Sequence, residues 1–278
     1  MTGFLRSRPV LGFILLAYTG AWIVWSPMVL GSSGLRVLPL EISDTAVKVI
    51  NVLGLFAGPF IASLVMTKVV HGSFKPWLAG WMRVRPWWVW PVALVLFPAV
   101  MAGLMMLLAG PATGQPALSG PAAVIAPVLM FLGFLIGGPV QEEPGWRGFA
   151  LPQLQQRFHP LAAATVLGFV WALWHLPLFA VAAWDTPKDS ILDVLLHVSM
   201  VVLLSIAMSW VANLGGGSVL LAVLAHNAVN WIWIVWPLLT GRTVPGGSLA
   251  LFFGSALLAL VAICASAGRL AVPSTQRP

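Results

Sequence analysis

Runs of about 20 mostly apolar residues recur along this chain, and a run of that length is what spans the hydrocarbon of a bilayer as a helix. Eight such runs are legible: Val10–Leu30, Ala46–Val70, Trp87–Leu108, Ala123 to about Arg157, Pro160–Ala182, Leu192–Leu214, Ser218–Leu239 and Leu249–Ala267. They are apolar all round rather than at every second residue, which excludes the alternation of a membrane barrel. A soluble protein with a large core is the other alternative. It fails on charge: 8% of the 278 residues are charged and 60% are hydrophobic, against about 25% charged in an ordinary soluble domain. The expected fold is therefore all-α, a polytopic membrane protein of about eight transmembrane helices forming one domain over residues 1–278.

Short Gly-, Pro- and Ser-rich segments mark the connections, such as Gly110-Pro111-Ala112-Thr113-Gly114, Gly215-Gly216-Gly217-Ser218 and Pro245-Gly246-Gly247. Arg6 and Arg8 precede the first run, as in a signal peptide, but Trp and Met follow it in place of a small-residue cleavage site. It reads as a retained helix. With eight spans, Arg6, Arg8, Lys68, Lys75, Arg83, Arg85, Arg147, Arg157, Arg269 and Arg277 fall on one side, and Arg36, Lys48, Lys188 and Arg242 on the other. The positive-inside rule then places both termini in the cytoplasm of a multi-pass cell-membrane protein. Topology and lipid headgroups account for the net charge of +7, so no nucleic-acid partner is implied. The lone Cys264 excludes an internal disulfide and reads as a small packing residue.

The seven acidic residues are more informative. Glu41, Asp44, Asp185, Asp189 and Asp193 sit in or beside outer connections. The other two, Glu142 and Glu143, are neighbours in Gly137-Gly138-Pro139-Val140-Gln141-Glu142-Glu143-Pro144-Gly145-Trp146-Arg147. The bland reading of this pair is a cytoplasmic loop after a helix that ends at Gly137-Gly138-Pro139. His175 lies inside the fifth run, and His226 and Asn230 lie four apart on one face inside the seventh. Ionisable groups at membrane depth are costly and usually face a cavity or a partner. A lone membrane His is often only an interhelix hydrogen-bonding residue, which is the reading for His197. His71 and His159 read as solvated.

These residues are the parts for adding water to an amide. A carboxylate beside a neutral imidazole can hold and deprotonate a water. A desolvated carboxylate with a like-charged neighbour is a better base than one in water. On a helix, Glu143 and Arg147 form an i, i+4 pair, which leaves Glu142 about 100° away and free. His226 and Asn230 can both donate to one oxyanion.

The order Glu-Glu-x-x-x-Arg, aromatic-x-x-x-His, His-x-x-x-Asn, each on its own membrane helix, resembles the CPBP intramembrane proteases, which include the CAAX prenyl endopeptidases and bacteriocin-processing or immunity proteins. Glu142 to Arg147, Trp171 to His175 and His226 to Asn230 carry the resemblance, within residues 142–230. Trp171 stands where the family often has Phe, a change expected to alter pocket shape and not chemistry. The resemblance implies an intramembrane endopeptidase in which Glu142 and His175 activate water, Glu143 and Arg147 support the site, and His226 and Asn230 form the oxyanion hole, with Trp146 and Trp171 as pocket walls. The implied partner is a peptide or protein substrate at the membrane, lipidated for part of the family. No cofactor is expected. The alternative is a divalent metal such as zinc on Glu142, His175 and His226, disfavoured because His-Glu-x-x-His is absent. The alternative function is a non-catalytic membrane peptide-binding protein of the immunity or scaffold type.

Depth sets a further expectation. For Glu142 to share a water with His175, the fourth helix must continue or restart within the membrane, with Pro144 as the first residue of the restart and Glu143 as its cap. The expected result is a polar cavity open to the cytoplasm, reached between the fourth, fifth and seventh helices.

Overall fold

The computed structural model describes every residue except Met1, Arg85, Thr113, Asp185, Pro187, Asp189, Gly246 and residues 272–278. Arg85, Arg277, Asp185 and Asp189 of the sequence reading thus lie outside the described residues. The described residues are helical, with no strand. The spans are α1 Pro9–Leu30, α2 Asp44–His71, α3 Val89–Leu108, α4a Ala122–Gly137 with α4b Pro139–Gln155, α5 Pro160–Ala180, α6 Ile191–Leu214, α7 Val219–Thr240 and α8 Gly247–Ser266. The chain is a multi-pass membrane protein. Its eight runs fall within a few residues of the expected bounds. Large apolar side chains such as Ile23, Leu107 and Ile191 point outward, where lipid takes the place of water. Cys264 also faces outward and is not packed inside the bundle.

The fourth span is one crossing in two pieces, bent by 44°. Contacts with α7 establish this. Leu118 N–H donates to Leu238 O, Trp231 Nε1 to Pro127 O, and Asn227 Nδ2 to Phe131 O, at 3.0, 2.7 and 2.8 Å. Beyond the bend, His226 meets Glu143. The first piece of the fourth span therefore runs antiparallel to α7, and the second piece returns to the same helix at His226.

The break itself sits at Gly138, and the helix restarts at Pro139, not at Pro144. Proline is favoured at a first helical position because its missing N–H would be unpaired there in any case. The freed backbone groups are satisfied locally: Gln141 Oε1 accepts from Gly138 N–H at 3.2 Å, and its Nε2 donates to Ile136 O at 2.7 Å. Pro144 lies inside the restarted helix, and the next turn, Trp146–Ala150, widens into a π-helix. A proline removes one ladder bond and crowds the preceding turn, and a π-turn is one way a helix absorbs this. The stretch Phe149–Leu154 packs inward, with Phe13 5.5 Å from Phe149, instead of emerging at the surface.

Small residues set the closest helix approaches, as van der Waals packing in a membrane requires. Gly145 of α4b faces the kink of α2 at Gly58-Pro59. A Cβ on Gly145 would lie 2.6 Å from Pro59 O and 2.9 Å from Phe13. On Gly103 of α3 it would meet nothing within 4 Å. Gly145→Ala is therefore expected to destabilise the protein by about 1–3 kcal/mol, the usual cost of overpacking. Gly103→Ala should be neutral. Thermal unfolding of the purified variants in detergent checks both.

Candidate active site

Glu143 and Arg147 are the expected pair. Arg147 Nη1 lies 3.0 Å from both carboxylate oxygens of Glu143, and both side chains are fully buried. The pair extends in two directions. His226 Nδ1 from α7 lies 2.9 Å from Glu143 Oε1. The Trp171 ring from α5 lies over the Arg147 guanidinium at 4.4 Å, a cation–π distance. One carboxylate thus holds α4b, α5 and α7 together.

Glu142 turns the other way, as its helical offset requires. It lines a cavity of about 360 Å³ with Trp171, His175, His226 and Asn230. Trp171 Nε1 donates to Glu142 Oε2 at 2.6 Å. Phenylalanine cannot make this bond, so Trp171 carries more than the aromatic wall expected of it. Gly138 makes room for the carboxylate: a Cβ there would lie 3.1 Å from Glu142 Oε1.

The hydrogen bonds fix the imidazoles. His175 Nδ1 is 2.9 Å from Trp171 O. A carbonyl only accepts, so Nδ1 bears the proton and Nε2 of the neutral ring is left as an acceptor. His226 Nδ1 faces an ionised carboxylate already held by Arg147, so it too is the donor. To donate from Nε2 as well, His226 must carry both ring protons, and Glu143 is the counter-charge for that form. Asn230, on the same face of α7, is exposed to the cavity, whereas its neighbour Asn227 is buried against α4a.

Two residues stand differently from the sequence reading. Trp146 is fully buried between Phe13 and Trp174, with ring centroids 5.3 and 5.7 Å away, and does not line the cavity. His197 does line it, 5.6 Å from His175 ring to ring. Trp184, from the α5–α6 connection, stacks on His175 at 5.9 Å and meets the edge of His197 at 5.3 Å. No spacing along the chain relates His197 to His175, because α5 and α6 meet across a connection. The one available signal was a third His at membrane depth.

The cavity extends from the site toward one end of the bundle. Beyond the site, its lining includes Asn51 near the start of α2, Thr186 of the α5–α6 connection, Asp193 in the first turn of α6 and Ser248 at the start of α8. These lie at the end of the bundle opposite both termini. Cytoplasmic termini and a cavity open to the cytoplasm therefore cannot both hold. The walls come from α2, α6 and α8 as well as the three helices anticipated.

Among the described residues, no three His, Cys, Asp or Glu side chains stand close enough to share a metal ion. Glu142 Oε2 meets Trp171, and the Nδ1 atoms of His175 and His226 meet Trp171 O and Glu143, which leaves Glu142 Oε1 and both Nε2 atoms without a bond to these partners.

Comparison with known proteins matches residues 124–232 to the family described as type II CAAX prenyl endopeptidase Rce1-like. The matched segment runs from α4a to α7 and contains Glu142, Glu143, Arg147, Trp171, His175, His197, His226 and Asn230. A relative, CAAX prenyl protease 2 of Methanococcus maripaludis, is 27% identical over 225 residues, 78% of each chain. Over these matches the chain is similar to the Rce1-like CAAX prenyl endopeptidases. The segment similar to that family carries the Trp171 to Glu142 hydrogen bond.

The buried ion pair yields a stability expectation. Glu143→Ala leaves Arg147 charged and unpaired in the interior, which costs roughly 3–5 kcal/mol. The double variant Glu143→Leu with Arg147→Met removes both charges and should recover most of that loss. Unfolding midpoints in detergent distinguish the two, and equal loss in both would show that packing rather than the unpaired charge is responsible.

Proposed function

We propose that this protein is an intramembrane endopeptidase that hydrolyses a peptide bond with a water held between Glu142 and His175. The observation that carries this reading is the division of labour in the Glu142-Glu143 pair: Glu143 is sealed behind the site with Arg147, while Glu142 opens onto a cavity shared with two imidazoles and an amide.

The proton inventory follows from the tautomers. A water placed there donates one hydrogen to the Glu142 carboxylate and the other to His175 Nε2. Its lone pair is then free to attack the carbonyl carbon. As the carbon–oxygen bond forms, one proton passes to Glu142. The tetrahedral oxyanion is stabilised by Asn230 Nδ2–H and by His226 Nε2–H, with His226 carrying its second proton against Glu143. Collapse breaks the carbon–nitrogen bond, and Glu142 returns its proton to the leaving amine. The sequence needs no cofactor. Trp171 holds one oxygen of Glu142 still so that the other meets the water. The substrate is a peptide or protein segment at the membrane, and lipidation of that segment is a question for the assay.

Turnover of membrane-associated peptides by purified protein tests the mechanism. Glu142→Gln, His175→Ala and His226→Ala should each remove nearly all activity, and Asn230→Ala should lower kcat by about 10²–10³, the cost of one oxyanion donor. Trp171→Phe keeps the ring and loses the hydrogen bond to a charged group, a loss of about 1.5–3 kcal/mol, so kcat should fall roughly ten- to hundredfold with KM little changed. Full activity in Glu142→Gln would sink the mechanism. Retention of peptide without cleavage by either form would assign the chain to the peptide-binding class instead.

A further inference from the structure

Part of the cavity wall takes no part in the hydrolytic chemistry. On α6, Asp193 and His197 are one turn apart and both line the cavity. Asp193 caps its own helix: its Oδ2 accepts from Ser190 N–H and Oγ–H at 3.0 and 2.9 Å. The cap accounts for Oδ2 and leaves Oδ1 over. His197 is buried, and its Nε2 has no hydrogen-bond partner. Asn51 of α2 belongs to the same wall, and its Oδ1 is likewise buried and unpartnered. Buried polar atoms are nearly always bonded to something, so two such atoms in one cavity wall mark a place that a ligand completes.

These groups are acceptors. Carboxylate and amide oxygens only accept, and a neutral imidazole protonated on Nδ1 accepts at Nε2. Among the described residues, two carboxylates line the cavity, Glu142 and Asp193, and no Lys or Arg does. Lys188, five residues before Asp193, directs its ammonium to Val181 O, Ala182 O and Trp184 O at 2.5, 3.2 and 2.7 Å. Arg147 is paired behind the site with Glu143, which also faces His226. A chain of net charge +7 thus encloses an acidic cavity. Trp184 and Trp233 add aromatic rings to the wall, and the face of such a ring attracts a cation.

We infer that Asp193, His197 and Asn51 form a subsite for a cationic side chain, Lys or Arg, of the peptide substrate. This rests on the endopeptidase reading for the bond that is cut, and on the wall alone for the cation. The spacing sets where the cationic residue sits. His197 lies 5.6 Å from His175, ring to ring, and Asp193 is one helical turn, about 5.4 Å, from His197. The two steps reach at most roughly 11 Å, the span of about three extended residues. The cationic residue therefore lies within about three residues of the scissile bond. A hydrogen bond from its charged nitrogen to Asp193 Oδ1 is of the strong, charge-assisted kind. An acidic residue at that place meets like charge and the same unpaired acceptors.

Binding tests the subsite without turnover. The probes are short leucine–alanine peptides, acetylated and amidated at their ends and fluorescently labelled, with Lys, norleucine or Glu at the centre. The full chain carrying Glu142→Gln, in non-ionic detergent, should bind the Lys peptide about tenfold more tightly than the norleucine peptide, the scale of one hydrogen bond to a charged group. The Glu peptide should bind most weakly. Asp193→Asn keeps an acceptor for the helix cap and should erase the preference for Lys, whereas Asp193→Glu keeps the charge and should retain it. His197→Phe should reduce the preference in part. Equal binding of the three peptides, or none, or a preference for Lys that survives in Asp193→Asn, would overturn the inference. The unaltered protein separates the two readings. Cleavage of all three peptides with equal kcat/KM would overturn the subsite and leave the endopeptidase reading standing. Lys-selective binding without cleavage would support the subsite and count against the endopeptidase reading alone.

Discussion

The fully buried carboxylate of Glu143 is the constraint around which the rest of the site is arranged. Placing a carboxylate and a guanidinium inside a membrane-embedded bundle costs several kcal/mol per ion before any attraction is counted. The cost is offset only where geometry is good and the remaining lone pairs and donors find partners. Glu143 meets that condition with two contacts to Arg147 and one to His226, whereas Arg147 meets it only in part: its Nη1 bonds Glu143 and its face meets Trp171, but its buried Nε and Nη2 have no hydrogen-bond partner. Those partners come from three spans. The ion pair therefore fixes the register of α7 and the rotation of α5 against α4b, and so decides where Glu142, His175 and Asn230 point.

Much of this was legible in the sequence, and the reason is the range over which each property is summed. Span positions depend on hydropathy over about 20 consecutive residues, so all eight could be read within a few residues of their bounds. The i, i+4 relation of Glu143 with Arg147 is also local, and it told Glu143 from Glu142 before any fold was known. The restart of the fourth helix was misplaced because Pro139 and Pro144 are both acceptable first residues. Gln141 decides between them by bridging Gly138 and Ile136, and a side chain bonding across a break leaves no periodic trace. His197 and Trp184 were missed for a related reason. Their approach to His175 depends on how the connection 181–190 folds back, and that is set by tertiary packing.

Trp171 shows how one aromatic residue can shape the electrostatics of a site beyond what its ring supplies. An aromatic ring is enough to cover Arg147 and to meet the edge of His226. The indole N–H adds a bond to Glu142 Oε2 at 2.6 Å, in the range of a charge-assisted contact. In a low-dielectric cavity such a bond also restricts the carboxylate to one rotamer. The same residue, through its backbone carbonyl, sets the tautomer of His175. Trp171 thereby touches Glu142, His175 and Arg147 at once.

The break at Gly138 links the chemistry to the direction of the cavity. Irregular backbone within a membrane persists only where protein or a water-filled space satisfies it. Gly137 lines the cavity, and Gln141 satisfies the two groups behind it. The restarted helix presents its first turn, with Glu142 in it, to that same space, and the positive end of the helix dipole favours negative charge there. An unbroken α4 would carry its carboxylates partway along a continuous helix with no free N–H groups nearby. The interruption therefore does two things at once. It turns the N-terminal end of α4b toward the cavity, and it divides the bundle into a half that is hollow and a half that is packed, closed by Phe13, Trp146, Phe149 and Leu154. Access from the packed half would require those buried side chains to part.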